Sequence, residues 1–365
     1  MICPRETFAA ACVLILAAPV ILLQSAAEPA APSANVKQAR PPQPPRQSPQ
    51  APDDPRARIR ARTELVVVPV TVKSDSGQLV PDLRREEFRV LEDGVEQELE
   101  VFSNEAFPLS AVILIDNELP SKTADQVEKS LPAMGGGFSD QDEVAVARFD
   151  IRLHRSGDFT ADNDALLTQL QRLDLDKDNP GGPPGGPLNN GPRINGAPAP
   201  GTQAQSPGGI QFGRRSTKNI DDAVYAAAEL LRDRARERRK IIVLVSDGNN
   251  SKYNTYSFAD TVKLLVSSGI SVYAVGVGNA VANRNLSVVA KYAHATGGDV
   301  FYAVKRESME ELYSVVTEEA RNQYTLAYVP HNTDRSADYH SIEVRVRRPG
   351  LTLLAREGYY TSGKP

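Results

Sequence analysis

The feature that most constrains this chain is a series of short, unbroken apolar runs, each closing on polar residues. Ser110-Ala111-Val112-Ile113-Leu114-Ile115 is the first. A strand that reads as a continuous apolar block, without alternation, has both of its faces covered. Runs of the same kind recur at 143–149, 241–245, 271–277 and 299–302. Between them, apolar residues fall at helical spacing over 123–131, 161–173, 219–232, 258–268, 285–296 and 307–322. Alternating strands and helices imply right-handed crossovers, and so an α/β fold with a doubly wound, mostly parallel sheet across 107–322.

The flanks have a different character. Residues 63–72 alternate, with Val66, Val68, Val70 and Val72 on one face. Strand patterns at 88–92 and 95–99 flank Asp93-Gly94, a pair that favours a tight hairpin. After the last helix, 324–329, 341–347 and 351–355 read as strands, with Ile342, Val344 and Val346 inward. Segments 62–106 and 323–362 are therefore expected to form one small β module from both ends of the chain, with the α/β domain inserted between them. Within that domain, 179–213 is a Pro-, Gly- and Asn-rich insertion, a length of loop that is either functional or disordered.

The chain opens with Arg5, an apolar run from Phe8 to Leu23 and the small residues Ser25-Ala26-Ala27, the layout of a secretory signal peptide over 1–27. An uncleaved membrane anchor is the alternative, although the run falls short of the roughly 20 residues that span a bilayer. Residues 28–61, rich in Pro, Ala and Gln, cannot bury enough apolar surface to fold and read as a tether. Both cysteines, Cys3 and Cys12, lie in the leader, so the exported chain has no thiol and no thiolate metal site. A secreted, periplasmic or envelope location follows. The formal charge of −4 leaves no electrostatic footprint for nucleic acid, and the only membrane contact foreseen is through the leader. An unidentified protein partner is the expectation.

In an open α/β sheet, ligands collect outside the carboxyl ends of the strands, where the strand order switches. Two segments put carboxylates there: Asp116-Asn117-Glu118-Leu119-Pro120-Ser121 after the first run, and Ser246-Asp247-Gly248 after the run 241–245. Thr217, just before the third helix, offers a hydroxyl to the same mouth. Oxygen ligands from several loops suit a hard dication such as Mg²⁺.

These residues and the element order resemble von Willebrand factor type A domains. The flanking segments, Phe88 to Gly94 and Gln323-Tyr324-Thr325-Leu326 to Gly358-Tyr359-Tyr360, look like the von Willebrand factor A-related proteins of acidobacteria. The resemblance implies a non-enzymatic protein-interaction or adhesion module with a metal-ion-dependent adhesion site. That site is Asp-x-Ser-x-Ser on one loop, a Thr on a second and an Asp on a third. Asp116 matches the first position and Asp247 the last, but Glu118 and Pro120 stand where the two serines belong. Counting back from Asp222 puts Lys218, and not Thr217, at the threonine position. The candidate metal set is then Asp116, Glu118, Ser121, Thr217 and Asp247, a degenerate one. A third protein carboxylate would over-neutralise a dication that a partner's acid is meant to complete.

Other patterns carry less. The basic run 232–240 closes a helix, where cations suit the dipole. Gly276-Val277-Gly278-Asn279 lacks the third glycine of a dinucleotide fingerprint. His154, His294, His331 and His340 show no metal-ligand spacing and are assigned no role. The rival readings are a structural envelope component and a Mg²⁺-dependent phosphohydrolase of the haloacid dehalogenase type, because Asp116-Asn117-Glu118 after an apolar strand resembles its nucleophile motif.

Overall fold

The structure, a computed structural model, describes residues 65–175, 218–331 and 338–361, together with the backbone at 193–194 and 197–198. The expected leader and tether, most of the insertion, and Thr217 lie outside the described residues. Four strands lead: β1 (Val66–Ser74), β2 (Phe88–Glu92), β3 (Val95–Gln97) and β4 (Leu99–Ser103). The α/β part runs β5 (Leu109–Asp116), α1 (Ser121–Gly135), β6 (Glu143–Phe149), β7 (Leu153–Arg155), α2 (Asn163–Gln171), β8 (Arg193–Ile194), β9 (Ala197–Pro198) and α3 (Ile220–Arg232). It continues with β10 (Arg239–Ser246), α4 (Phe258–Ser267), β11 (Ile270–Gly276), α5 (Asn279–Asn283), α6 (Val288–Thr296), β12 (Val300–Tyr302) and α7 (Arg306–Arg321). The chain closes on β13 (Tyr324–Tyr328), β14 (Tyr339–Val346), β15 (Leu351–Ala355) and β16 (Gly358–Tyr360).

The central sheet has the order β12-β11-β10-β5-β6-β7. Every pairing in it is parallel except β6 with β7. All eight residues of β5 are buried, which is why the run has no polar alternation. Its side chains divide between two cores. Ala111, Ile113 and Ile115 pack with buried residues of α1, α2 and α7, whereas Val112 and Leu114 join those of α3 and α6. Helices on both faces make the sheet doubly wound. From β5 the chain steps to β6 on one side and later returns to β10 on the other, so the order switches between β5 and β10. That switch is where Asp116 and Asp247 emerge.

The flanking strands form two antiparallel sheets: β15-β1-β13-β4 and β16-β14-β2-β3. They share one core, with Val68, Val70 and Tyr328 from the first sheet and Phe88, Val90 and Ile342 from the second. Residues 95–99 are not one strand. The chain crosses from one sheet to the other at Glu98, so β3 stays beside β2 while β4 pairs with β13. On β1 the second face is covered only toward the end of the strand, where Thr71 and Lys73 are buried while Val67 is exposed. Gln323 donates to Thr71 Oγ1, and Lys73 pairs with Asp299 and Glu319.

Helix limits shift where side chains cap. Asp162 and Ser287 accept backbone N–H groups and start α2 and α6 later than the apolar pattern suggests, while α1 runs past 131 through Pro132 to Gly135. The antiparallel edge strand β7 has no sequence signature, being three residues long and largely exposed. Among the described residues no helix is long and apolar enough to cross a membrane.

Candidate functional site

Asp116 and Asp247 do converge, and what joins them is Lys218. Its Nζ donates to Asp116 Oδ2 at 2.5 Å and to Asp247 Oδ1 at 2.6 Å. All three are buried, with relative exposures of 0% for Asp116, 1% for Lys218 and 4% for Asp247. Ser246, the last residue of β10, donates its hydroxyl to Asp116 Oδ2 at 2.6 Å. The remaining carboxylate oxygens are taken locally. Asp116 Oδ1 accepts the Glu118 N–H at 2.9 Å, and Asp247 accepts the backbone and side-chain N–H groups of Asn249 at 3.0 and 2.8 Å.

The electrostatics of the triad pull in opposite directions. Burial works against the charge of Lys218, but the carboxylates of Asp116 and Asp247 outweigh it and hold the ammonium above the ordinary lysine value. Burial pushes the Asp116 carboxyl up and the charge of Asp247 adds to this, against the pull of Lys218.

The loop after β10 is fastened to the start of α3, fixing the rim around the triad. Asn250 Oδ1 accepts the Ile220 N–H at 2.9 Å and Asn254 Oδ1 that of Asp222 at 3.2 Å, so a neighbouring loop caps α3, whose own Asn219 side chain does not. Asp222 in return accepts the N–H groups of Thr255 and Tyr256, and Asp221 accepts from Asn250 Nδ2 and the Tyr292 hydroxyl. Two acids in the first turn also suit the helix dipole. Lys218 itself is anchored through its carbonyl, which accepts the Ser251 N–H at 2.9 Å. Gly248, at φ 75°, makes the turn directly after Asp247.

The other expected ligands stand differently. Glu118 is half-buried, and Ser121 is the exposed first residue of α1. Among the described residues the only cluster of three acidic or histidine side chains with ligand atoms within 4.8 Å of one another is Glu92, Asp93 and His340, so Asp116, Glu118 and Asp247 do not form one. A hard dication needs about six oxygens at 2.0–2.6 Å. Here an ammonium bonded to both aspartates fills the space between them, and these residues do not fit the ion that the resemblance implies. Lys218 is the residue the sequence reading did not include in the site. The signal was there: the count back from Asp222 ends on it.

For the phosphohydrolase reading, Lys218 does stand beside Asp116. Yet an aspartate with no exposed surface, accepting from Lys218, Ser246 and Glu118, presents no oxygen to a phosphate.

Residues 208–315 match the family model of the von Willebrand factor type A domain, a span that contains Lys218 and Asp247. No curated protein matches the chain in sequence. Similar solved structures include proximal thread matrix protein 1 from the mussel byssus with a zinc-occupied MIDAS motif, at 11% identity and TM-score 0.40, covering 60% of this chain and 49% of that one. BatB from Bacteroides thetaiotaomicron is similar at 12% identity and TM-score 0.38, covering 58% of this chain and 98% of that one. An aerotolerance-related membrane protein from Bacteroides fragilis is similar at 14% identity and TM-score 0.37, covering 58% and 99%. The chain thus spans about half the length of the mussel protein. With the family match falling on the α/β domain whose sheet switches between β5 and β10, this chain carries a von Willebrand factor type A domain.

Proposed function

We propose that this chain is an exported, non-enzymatic protein-binding module whose recognition surface is the rim above β5 and β10, and that it binds without a divalent ion. The observation that carries this reading is the position of Lys218 Nζ between Asp116 and Asp247. A metal-dependent adhesion site works because an open coordination position attracts an acid from the partner. An ammonium already bonded to two buried carboxylates has no such position, so recognition falls to the loop around it. That loop presents Lys252, Tyr253 and Tyr256, with Tyr253 78% exposed and Tyr256 stacked on Tyr225 at 3.6 Å. Tyrosines supply large contact area at low entropic cost. The hydrogen bonds from Asn250, Asn254 and Asp222 hold the loop in place before a partner arrives, which lowers the ordering cost of binding.

In this reading 1–27 is removed on export, 28–61 is a tether, and the β unit of 62–106 and 323–362 presents the domain of 107–322 at the cell envelope. Affinity capture from envelope extract, with and without a chelator, tests it. The same partner is expected in both conditions, with capture reduced by Tyr253→Ala and Tyr256→Ala together. Capture lost on adding chelator and restored by Mg²⁺, or indifferent to both tyrosines, overturns the proposal.

A further inference from the structure

Away from the rim, the second antiparallel sheet holds a group of side chains that the binding role does not use. Strand β2 ends in Glu92, and Asp93-Gly94 turn the hairpin with φ of 49° and 82°. Strand β14 lies beside β2, pairing Ile342 with Glu92, and brings His340 to the turn. His340 Nδ1 is 2.7 Å from Asp93 Oδ2 and 3.9 Å from Glu92 Oε1.

The charges here are not balanced. Glu92 is 2% exposed, and among the described residues its only ion-pair partner is His340. Its Oε2 accepts from the Tyr359 hydroxyl at 3.2 Å, whereas Oε1 is buried without a hydrogen bond of normal geometry, and the equally buried Tyr328 hydroxyl faces the same carboxylate. A buried carboxylate oxygen held only by poorly placed donors is costly. Even a protonated His340 leaves two carboxylates against one positive charge.

We propose that Glu92, Asp93 and His340 bind a transition-metal dication of the zinc class. Ligands about 2.0 Å from a tetrahedral ion lie about 3.3 Å from one another. The two separations from Nδ1, 2.7 and 3.9 Å, straddle that value, and all three ligand atoms lie within 4.8 Å of one another. One imidazole with two carboxylates favours zinc over Mg²⁺ or Ca²⁺, and a dication balances the two acids. The outer contacts that orient such ligands are in place. Ser341 donates its N–H and hydroxyl to Asp93 Oδ1 at 2.9 and 3.0 Å, and Tyr359 both bonds Glu92 and stacks on His340 at 5.3 Å. The Asp93 side chain is 45% exposed, which gives the ion an entry and leaves the fourth position to water. Asp93 and His340 are 247 residues apart in sequence, so the ion would pin the N-terminal hairpin to a C-terminal strand. That separation is also why no ligand spacing is visible in the sequence.

The test is a ZnCl₂ titration of the full chain, stripped of metal and labelled with ¹⁵N-histidine, following the ring resonances of its 4 histidines. A single equivalent is expected to shift His340 and leave His154, His294 and His331 in place. Glu92→Gln keeps the bond to Tyr359 and should weaken the affinity by at least about tenfold. His340 unmoved at a large excess of zinc overturns the proposal, as does Glu92→Gln binding zinc as tightly as the unaltered chain.

Discussion

Lys218→Met is the sharpest perturbation of the rim, because it keeps most of the apolar stem and deletes only the charge. Asp116 and Asp247, 0% and 4% exposed, would then face each other without a cation. Removing one partner of a buried ion pair costs about 3–5 kcal/mol, since the other is left uncompensated. Here two carboxylates lose the same partner, but Asp116 keeps Ser246 and the Glu118 amide, and Asp247 keeps Asn249. Those bonds offset part of the loss, and about 4 kcal/mol at pH 7 is the expected cost, or roughly 10 °C in Tm. The loss should also depend on pH in a definite direction. Burial already pushes the Asp116 carboxyl up, and deleting Lys218 removes the interaction that opposes the shift. A carboxyl whose folded pKa lies above its unfolded value contributes stability that is present below the unfolded value and is lost as pH rises through the folded one. The gap between variant and unaltered chain should therefore narrow on acidification from pH 7 to pH 5. Urea denaturation at the two pH values measures it. A cost below about 1 kcal/mol, or one that does not change with pH, would refute the claim that Lys218 balances two buried charges.

Three further outcomes follow from the same contacts. Lys218 is held above the usual lysine value, so its contribution is complete below the unfolded pKa of about 10.4 and is lost as pH climbs through the folded value; the stability gap between Lys218→Met and the unaltered chain should close in that alkaline range, measured by denaturant unfolding. Burial pushes Glu319 up to about 7 despite its bond to Lys73, so stability should fall by up to about 3 kcal/mol as pH rises from 4.5 to 8, and Glu319→Gln should flatten that slope in a Tm series. Asn250→Ala removes the acceptor for the first amide of α3 and should cost about 1 kcal/mol by denaturant unfolding, in the range of an N-cap loss.

The central sheet was legible because its strands are covered on both sides, and a block such as 111–115 in β5, with no polar break, has few other uses. The convergence of Asp116 and Asp247 was legible for a related reason, since strand order alone puts both at the switch. Three features could not be read the same way. Strand β7 is held by its neighbour β6 and not by its own composition. The crossing at Glu98 preserves the alternation on either side, so nothing in the pattern marks the change of sheet. Lys218 was reached only by the count back from Asp222, because the acids that neutralise it are 102 and 29 residues away. A buried lysine is recognisable only once its partners are known, whereas an apolar strand announces its burial by itself.

The most direct measurement is a crystal structure of the chain grown in excess Mn²⁺, with anomalous data collected at the manganese edge. The account predicts no anomalous peak between Asp116 and Asp247, with Lys218 Nζ still bonded to both. A peak about 2.1 Å from an oxygen of each aspartate, with Lys218 turned away, would contradict it.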